Sequence, residues 1–233
     1  MTSLSYAEKR SQLEDYFDRT AVDAWTRLTS DAPVSRIRAT VRAGRDEMRR
    51  RLLGWLPADL GGRRLLDAGC GTGALAVEAA RRGAEVVAID LSPTLVDLAR
   101  SRATTREQVG SVEFLAGDML ASSLGEFDHI VAMDSLIHYR TEDALTAVAD
   151  LAERARYSVL FTFAPRTPAL AVMHSVGRLF PRSNRAPAIE PIAEQTMTRL
   201  LSSMPRLRGW QCSRTARIQN GFYTSQAMEL RRS

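Results

Sequence analysis

The sequence predicts an α/β fold in which a mostly parallel sheet carries helices on both faces. Two observations predict it. Between Gly62 and Phe163, short segments rich in Val, Ile, Leu and Phe alternate with helix-length amphipathic segments, the pattern of strands joined by crossover helices. The first strand of that series runs into Gly69-Cys70-Gly71-Thr72-Gly73, a glycine-rich turn that opens a helix. Length and composition agree. At roughly 100–200 residues per domain, a chain of 233 residues is one large domain, or one domain with a cap. Its 45% apolar and 25% charged residues are the balance of a chain that buries a core, which excludes disordered, collagen-like and coiled-coil readings.

The elements follow in order. Leu13, Tyr16, Phe17, Thr20, Ala24, Trp25 and Leu28 recur at spacings of three and four and predict one face of a helix, broken at Asp31-Ala32-Pro33. A second helix is predicted from Val34, Ile37, Val41, Met48, Leu52, Trp55 and Leu56, with Arg36, Arg38, Arg42, Arg45, Arg49, Arg50 and Arg51 on its polar side. Pro57 and Gly61-Gly62 close it. Strands are expected at Arg64–Ala68, Glu85–Asp90, Val112–Ala116, His129–Met133 and Tyr157–Phe163, and helices at Ala74–Arg82, Pro93–Ala103 and Glu142–Arg154. A Pro- and Arg-rich insertion and two further strands complete the chain. The expected organisation is a helical lid over 1–60 and a binding domain over 61–233 that carries a cap insertion at 164–204.

Charge and cysteine content bound the function. The net charge is +5, and Lys9 is the only lysine among 32 basic residues. Such a surface attracts anions: nucleic acid, acidic lipid headgroups or an anionic substrate. Nucleic acid is not expected, because the arginines interleave with apolar positions on an amphipathic helix and form no basic tail. The basic 34–56 and 166–185 stretches suit peripheral contact with an anionic membrane. No apolar run approaches the ~20 residues of a membrane-spanning helix, and the first ten residues lack the apolar centre of a signal peptide. Cys70 and Cys212 cannot build a disulfide framework or a four-ligand zinc site. A reducing, cytoplasmic location is expected, with no resident metal.

The chemistry-bearing residues cluster at strand ends. Leu65-Leu66-Asp67 ends the first strand in an acid just before the glycine turn, and Val86–Asp90 ends the second in another. Glycine lets the backbone turn sharply and approach a ligand with no Cβ between. A carboxylate at the second position can accept two hydrogen bonds from ribose hydroxyls. The third strand ends in Gly117-Asp118-Met119 and the fourth in Met133-Asp134. The glycine spacing differs from the Gly-x-Gly-x-x-Gly of a dinucleotide dehydrogenase, which argues against that enzyme class.

These four segments resemble the Rossmann-like methyltransferases that use S-adenosylmethionine, over about residues 62–163. The resemblance implies a sheet with an antiparallel last strand. It implies that Gly69, Cys70, Gly71 and Gly73 wrap the methionine part of the cofactor and that Asp67 orients the turn and the amino group. By the same resemblance, Asp90 and Leu91 hold the ribose, Asp118 and Met119 contact the adenine, and Met133 completes the set.

Further marks lie outside that region: Asp15-Tyr16-Phe17 with Trp25, Ile37-Arg38 with Arg42 and Gly44-Arg45, Asp134-Ser135-Leu136-Ile137-His138-Tyr139, Ala164-Pro165-Arg166-Thr167-Pro168, and Phe180-Pro181 with Arg185-Ala186-Pro187. With them the chain resembles the magnesium-protoporphyrin IX O-methyltransferase family of bacteriochlorophyll and chlorophyll synthesis, from about Tyr6 to Leu230. The resemblance implies methyl transfer to a ring propionate of magnesium protoporphyrin IX, giving the monomethyl ester. It also implies the magnesium chelatase large subunit as a donor of substrate, and a place at the photosynthetic membrane. Action on another small molecule is the alternative, and the lid segments discriminate. The residue inventory suits a flat, apolar, dianionic substrate: Phe17, Trp25, Tyr139, Phe180 and His174 offer ring faces. Arg38, Arg42, Arg166 and Arg185 offer the planar cation that pairs with carboxylates and stacks on π-systems. His138, just past the fourth strand, and Tyr16 are the catalytic candidates. Either can position the carboxylate or meet the magnesium; a neutral imidazole can also accept a proton. His129 falls within a strand and is expected to be structural.

Overall fold

Seven strands form one sheet in the order β3-β2-β1-β4-β5-β7-β6, built by the residues that a computed structural model describes, 4–20, 35–103, 109–166 and 189–233. In chain order the elements are α1 (Leu4–Asp15), α2 (Arg36–Trp55), β1 (Arg64–Ala68), α3 (Ala74–Arg81), β2 (Glu85–Asp90), α4 (Pro93–Arg102), β3 (Ser111–Ala116), β4 (Phe127–Ala132), α5 (Thr141–Glu153), β5 (Ala155–Phe163), α6 (Glu194–Ser203), β6 (Trp210–Asn220) and β7 (Tyr223–Arg232). The first five strands pair in parallel, and β7 lies antiparallel between β5 and β6. This is the Rossmann-like methyltransferase sheet with its antiparallel last strand. Strand order reverses at β1 and β4, so the crevice beyond their carboxyl ends is where such a sheet takes a ligand.

Alternation along each strand divides the core. Leu65 and Leu66 are both fully buried and face opposite ways: Leu66 joins Ile130 and Phe161 under α5 and α6, and Leu65 joins Val131 and Leu160 under α2, α3 and α4. The helix α2 starts where the Ser35 side chain accepts the Arg38 amide and stops before Pro57. It presses Met48, Leu52 and Leu53 onto the sheet. Gly44 is fixed by packing: a Cβ there would lie 2.5 Å from the ring of Tyr223. Tight seating on the β6–β7 hairpin therefore outweighs the ~1 kcal/mol that glycine costs a helix interior.

Two elements differ from expectation. The first helix ends at Asp15 and passes into a π-type turn, Tyr16–Thr20. The remainder of the predicted run, Trp25 included, lies outside the described residues. Helix α6 was not expected within the 164–204 insertion. It forms because Met197 and Leu201, four residues apart, share one buried face. No described helix is long and apolar enough to cross a membrane.

Candidate active site

The turn after β1 is built around left-handed glycines, with φ of 84° at Gly69, 53° at Gly71 and 76° at Gly73. Only glycine adopts that region without cost. The turn is tied to β2: the amides of Gly69 and Cys70 donate to the Ile89 carbonyl at 2.8 and 3.0 Å. Asp90 locks it further. Its Oδ2 accepts the Gly71 amide at 2.8 Å and its Oδ1 accepts the Ser92 amide at 3.0 Å. The two oxygens offer about four lone-pair directions, so the carboxylate can still accept from a ligand. Burial raises the Asp90 pKa, and the amides of Ser92, Gly71 and Leu91 oppose the rise.

Asp67 sits beneath the turn, 2% exposed, and its Oδ2 has no hydrogen-bond partner. Burial, then the neighbouring Asp90 charge, push its pKa up to about 7, against the pull of the Ala76 amide. The folded chain therefore holds a proton on Asp67 that the unfolded chain, with an ordinary value of 3.8, has released. This group favours folding fully below about pH 4; its contribution declines as pH rises and is gone above about pH 7. At roughly 1.4 kcal/mol per pKa unit, the decline is on the order of a few kcal/mol. Asp67→Asn should flatten it, as urea unfolding at pH 5 and pH 8 will show; equal slopes in both proteins would place the proton elsewhere.

At the end of β3, Asp118 accepts the Tyr6 hydroxyl at 2.9 Å, the Arg10 guanidinium at 2.8 Å and the Leu120 amide at 2.9 Å. Tyr6 stacks on Tyr139, with ring centroids 4.8 Å apart. Burial raises both phenol pKa values, so both stay protonated. Asp18 fastens the following turn by accepting Ser92 Oγ at 3.0 Å and the Thr94 amide at 3.2 Å. Thus α1 lies across the carboxyl ends of the strands, and Phe17 comes within 5.8 Å of the His138 ring.

The turn after β4 hangs on Asp134. This residue has a φ of 54° and a side chain only 5% exposed. Its carboxylate accepts Arg45 at 2.7 Å, Tyr223 at 3.0 and 3.1 Å, Ser225 at 3.3 Å and Thr162 at 3.2 Å. Its amide donates to Thr162 Oγ1 at 2.7 Å. The chain beyond it makes a short 3-10 turn, Leu136–His138, that delivers a buried His138 and Tyr139 to the rim.

These pieces enclose a cavity of about 710 Å³. Of the residues expected at the cofactor, Gly69, Gly71, Asp90, Leu91, Asp118, Met119 and Met133 line it; Asp67, Cys70 and Gly73 stand behind the wall. Phe17, His138 and Tyr139 line it from the substrate and catalytic sets. Tyr16 is half-buried outside the wall with its ring edge-on to Phe17, and Arg38, Arg42 and Arg166 are not in it. Trp25, His174, Phe180 and Arg185 lie outside the described residues. Tyr6, Arg45, Asp134 and Ser135 are wall residues that the sequence alone did not single out for the site. Arg45 falls on the polar side of α2 among six other arginines, and its pairing with Asp134 spans 89 positions, which no local pattern encodes.

Comparison with known proteins divides the chain at this cavity. Residues 65–156 match a general methyltransferase domain, and residues 132–232 match the C-terminus of magnesium-protoporphyrin IX methyltransferase. A magnesium-protoporphyrin O-methyltransferase of Rhodobacter capsulatus is 48% identical, over 97% of this chain and 98% of that one. The chain belongs to the magnesium-protoporphyrin O-methyltransferase family. The crystal structure of magnesium protoporphyrin IX methyltransferase from Synechocystis PCC 6803 with bound SAH superposes with a TM-score of 0.83 at 31% identity, covering 96% of this chain and all of that one. A ubiquinone biosynthesis O-methyltransferase of Xanthomonas oryzae is 37% identical over 53% of this chain. The family's C-terminal match begins at Ala132 and takes in Asp134, Ser135, His138, Tyr139 and the β6–β7 hairpin. The two matches overlap up to residue 156, and only the later part, with the hairpin whose Tyr223 and Ser225 hold Asp134, is matched by the family alone.

Proposed function

We propose that this chain transfers the methyl group of S-adenosylmethionine to a ring propionate of magnesium protoporphyrin IX, giving the monomethyl ester. The observation that carries this is a cavity whose glycine turn and strand-end acids meet the Asp134–Tyr139 turn, itself held by Thr162, Tyr223 and Ser225 from the part of the chain that only the family's C-terminal match covers. The residues fit the cofactor. At Gly71 a Cβ would meet nothing within 4 Å, so the backbone there opens onto free space in the cavity, and Asp67 keeps an unpartnered carboxyl oxygen beneath the turn. The Gly69–Gly71 backbone and Met133 would hold the methionine part, with Arg45 the cation at hand for its carboxylate. Asp90 and Leu91 would hold the ribose, and Asp118 and Met119 the adenine end.

When bound, the sulfonium supplies an electrophilic methyl group. The protein's work is positional. A propionate with a pKa near ~4.3 is already ionised at pH 7, so a strong base adds little. Rate comes from orienting the carboxylate and excluding water. Leu13, Phe17 and Met133 provide the apolar wall, and His138 the polar group that aims the nucleophile. The α1 segment with Tyr16 covers the cavity as the lid, while α2 and α6 stay packed on the sheet through Met48, Leu52, Met197 and Leu201. Trp25, Arg38, Arg42, Arg166, His174, Phe180 and Arg185 are the further groups offered to the porphyrin. Substrate arrives from the magnesium chelatase large subunit at a membrane surface. The exposed Ile37 beside Arg36 and Arg38 suits such a peripheral contact.

The test is methyl-ester formation from magnesium protoporphyrin, with metal-free protoporphyrin as control. No ester from the magnesium form would overturn the assignment. His138→Ala should lower turnover roughly tenfold to a hundredfold, the low end of a general acid–base contribution, with cofactor affinity unchanged. Turnover at the wild-type level would remove His138 from the reaction.

A further inference from the structure

The sheet face that α2 covers stays open beyond the end of that helix, at the amino ends of the parallel strands and the opposite edge from the methyltransfer cavity. Register sets a row of side chains across it. Leu65 pairs with His129, His129 with Ser158, and Ser158 with Arg231. Arg63, two residues before Leu65, shares that face. Further along the same face the strands carry Val131, Leu160 and Ala227, all fully buried and apolar. Polar groups replace them in the row: His129 is 7% exposed and Ser158 4%, joined through Nδ1 and Oγ at 2.8 Å. They line a basin of about 1050 Å³ together with Arg63, Tyr157, Arg231 and the Gly54–Pro57 end of α2.

The charges in this basin do not balance. Arg214 is taken up by Glu229 through two hydrogen bonds of 2.7 and 2.8 Å. Arg63 lies 3.8 Å from Asp128 and 5.2 Å from the centroid of the Tyr157 ring, leaving much of its guanidinium exposed. Arg232 reaches the Ala155 carbonyl and the Trp210 ring. Among the described residues, Arg231 has no carboxylate within 4 Å. The hydrogen bond to Ser158 accounts for a histidine inside a strand. It does not account for Arg63, Arg214 and Arg231 gathering on this face beside only two acids.

We propose that this basin binds a small phosphate-bearing molecule, its oxygens taken by Arg231 and Arg63 over the His129–Ser158 floor and its remainder resting on the half-exposed Tyr157 ring. Arginine forks match phosphate oxygens in bidentate geometry, and the one carboxylate among the described residues that lines the basin, Glu229, is already paired with Arg214. Burial, the largest influence on His129, lowers its pKa, so the ring is neutral at pH 7 and is positioned to donate or accept. The site is separate from the methyltransfer cavity and does not depend on the function proposed above.

Inorganic pyrophosphate is the probe, titrated calorimetrically into the chain saturated with S-adenosylhomocysteine so that the other cavity is occupied. Expected is saturable one-to-one binding, with the His129 ring resonances shifting in step. Arg231→Gln replaces an exposed residue at the end of a strand and should weaken binding at least tenfold while S-adenosylhomocysteine affinity is unchanged. Arg206→Gln, on the α5 side of the sheet, should leave pyrophosphate binding unchanged. Heat that sodium chloride reproduces at equal ionic strength, equal weakening by both substitutions, or a static His129 signal would each overturn the proposal. Binding to phosphatidic acid vesicles without binding to pyrophosphate would also overturn it, by assigning the arginines to a membrane surface.

Discussion

Asp134→Ala should be the most destabilising single change near the cavity. The substitution removes the 2.7 Å ion pair of Arg45, whose side chain is 22% exposed. Breaking a buried pair from one side typically costs about 3–5 kcal/mol, and the partial exposure of Arg45 places this case at about 3 kcal/mol. Tyr223 and Ser225 lose their acceptor as well, and alanine tolerates the φ of 54° less well than aspartate. Urea unfolding of the chain without ligand measures the loss. Two controls locate its cause. Asp134→Asn keeps an acceptor and the backbone tolerance while removing the charge, and should show an intermediate loss. Adding Arg45→Met to Asp134→Ala removes the cation that has lost this ion pair and should recover part of the stability. If the double variant is no more stable than Asp134→Ala, the damage comes from the backbone and the hydroxyl network rather than from the charge. Because the same residue anchors the turn that presents His138, turnover should fall in every variant that moves Asp134.

The parts of this protein that were legible in its sequence are those fixed by local pattern. The runs Arg64–Ala68 and Glu85–Asp90 are apolar, short and bounded by turn residues, and they are strands at those residues. The glycine turn was legible because left-handed backbone at Gly69, Gly71 and Gly73 leaves a compositional trace. Asp90 was legible because an acid at a strand end next to that turn has few other reasons to be there. What was not legible depends on long-range placement. The bond from Tyr6 to Asp118 joins residues 112 positions apart, and a helix as polar as α1 gives no sign of which sheet edge it will cross. The fully buried Gln226 and Glu229 of β7 break the apolar alternation that would mark a central strand, because Arg214, Arg217 and Thr215 of β6 satisfy them. Arg38 and Arg42 were preferred to Arg45 for want of any local feature that distinguishes them. Only the crossing of α2 over the hairpin at Gly44 decides which arginine faces inward.

Gly69→Ala should abolish usable cofactor binding while leaving the sheet folded. Two independent costs fall on this position. Its φ of 84° charges an L-residue about 1–3 kcal/mol. Its Cβ would also lie well inside contact distance of Ser135 Cβ, so the two turns must separate. They adjoin in the cavity wall, and Ser135 is held by the Asp134 network on one side and the His138 turn on the other. Relief therefore comes from the glycine turn, which moves away from its bonds to Ile89 and Asp90. Loss of those three bonds at about 1 kcal/mol each, added to the backbone strain, predicts S-adenosylmethionine affinity reduced more than a hundredfold by calorimetry. Adding Ser135→Gly separates the terms. It removes the clash and leaves the strain, so the double variant should recover part of the affinity, to within about tenfold to a hundredfold of wild type. Cofactor affinity in Gly69→Ala within threefold of wild type would mean that the turn accommodates a side chain without moving, and that the cofactor does not depend on the close approach at Gly69.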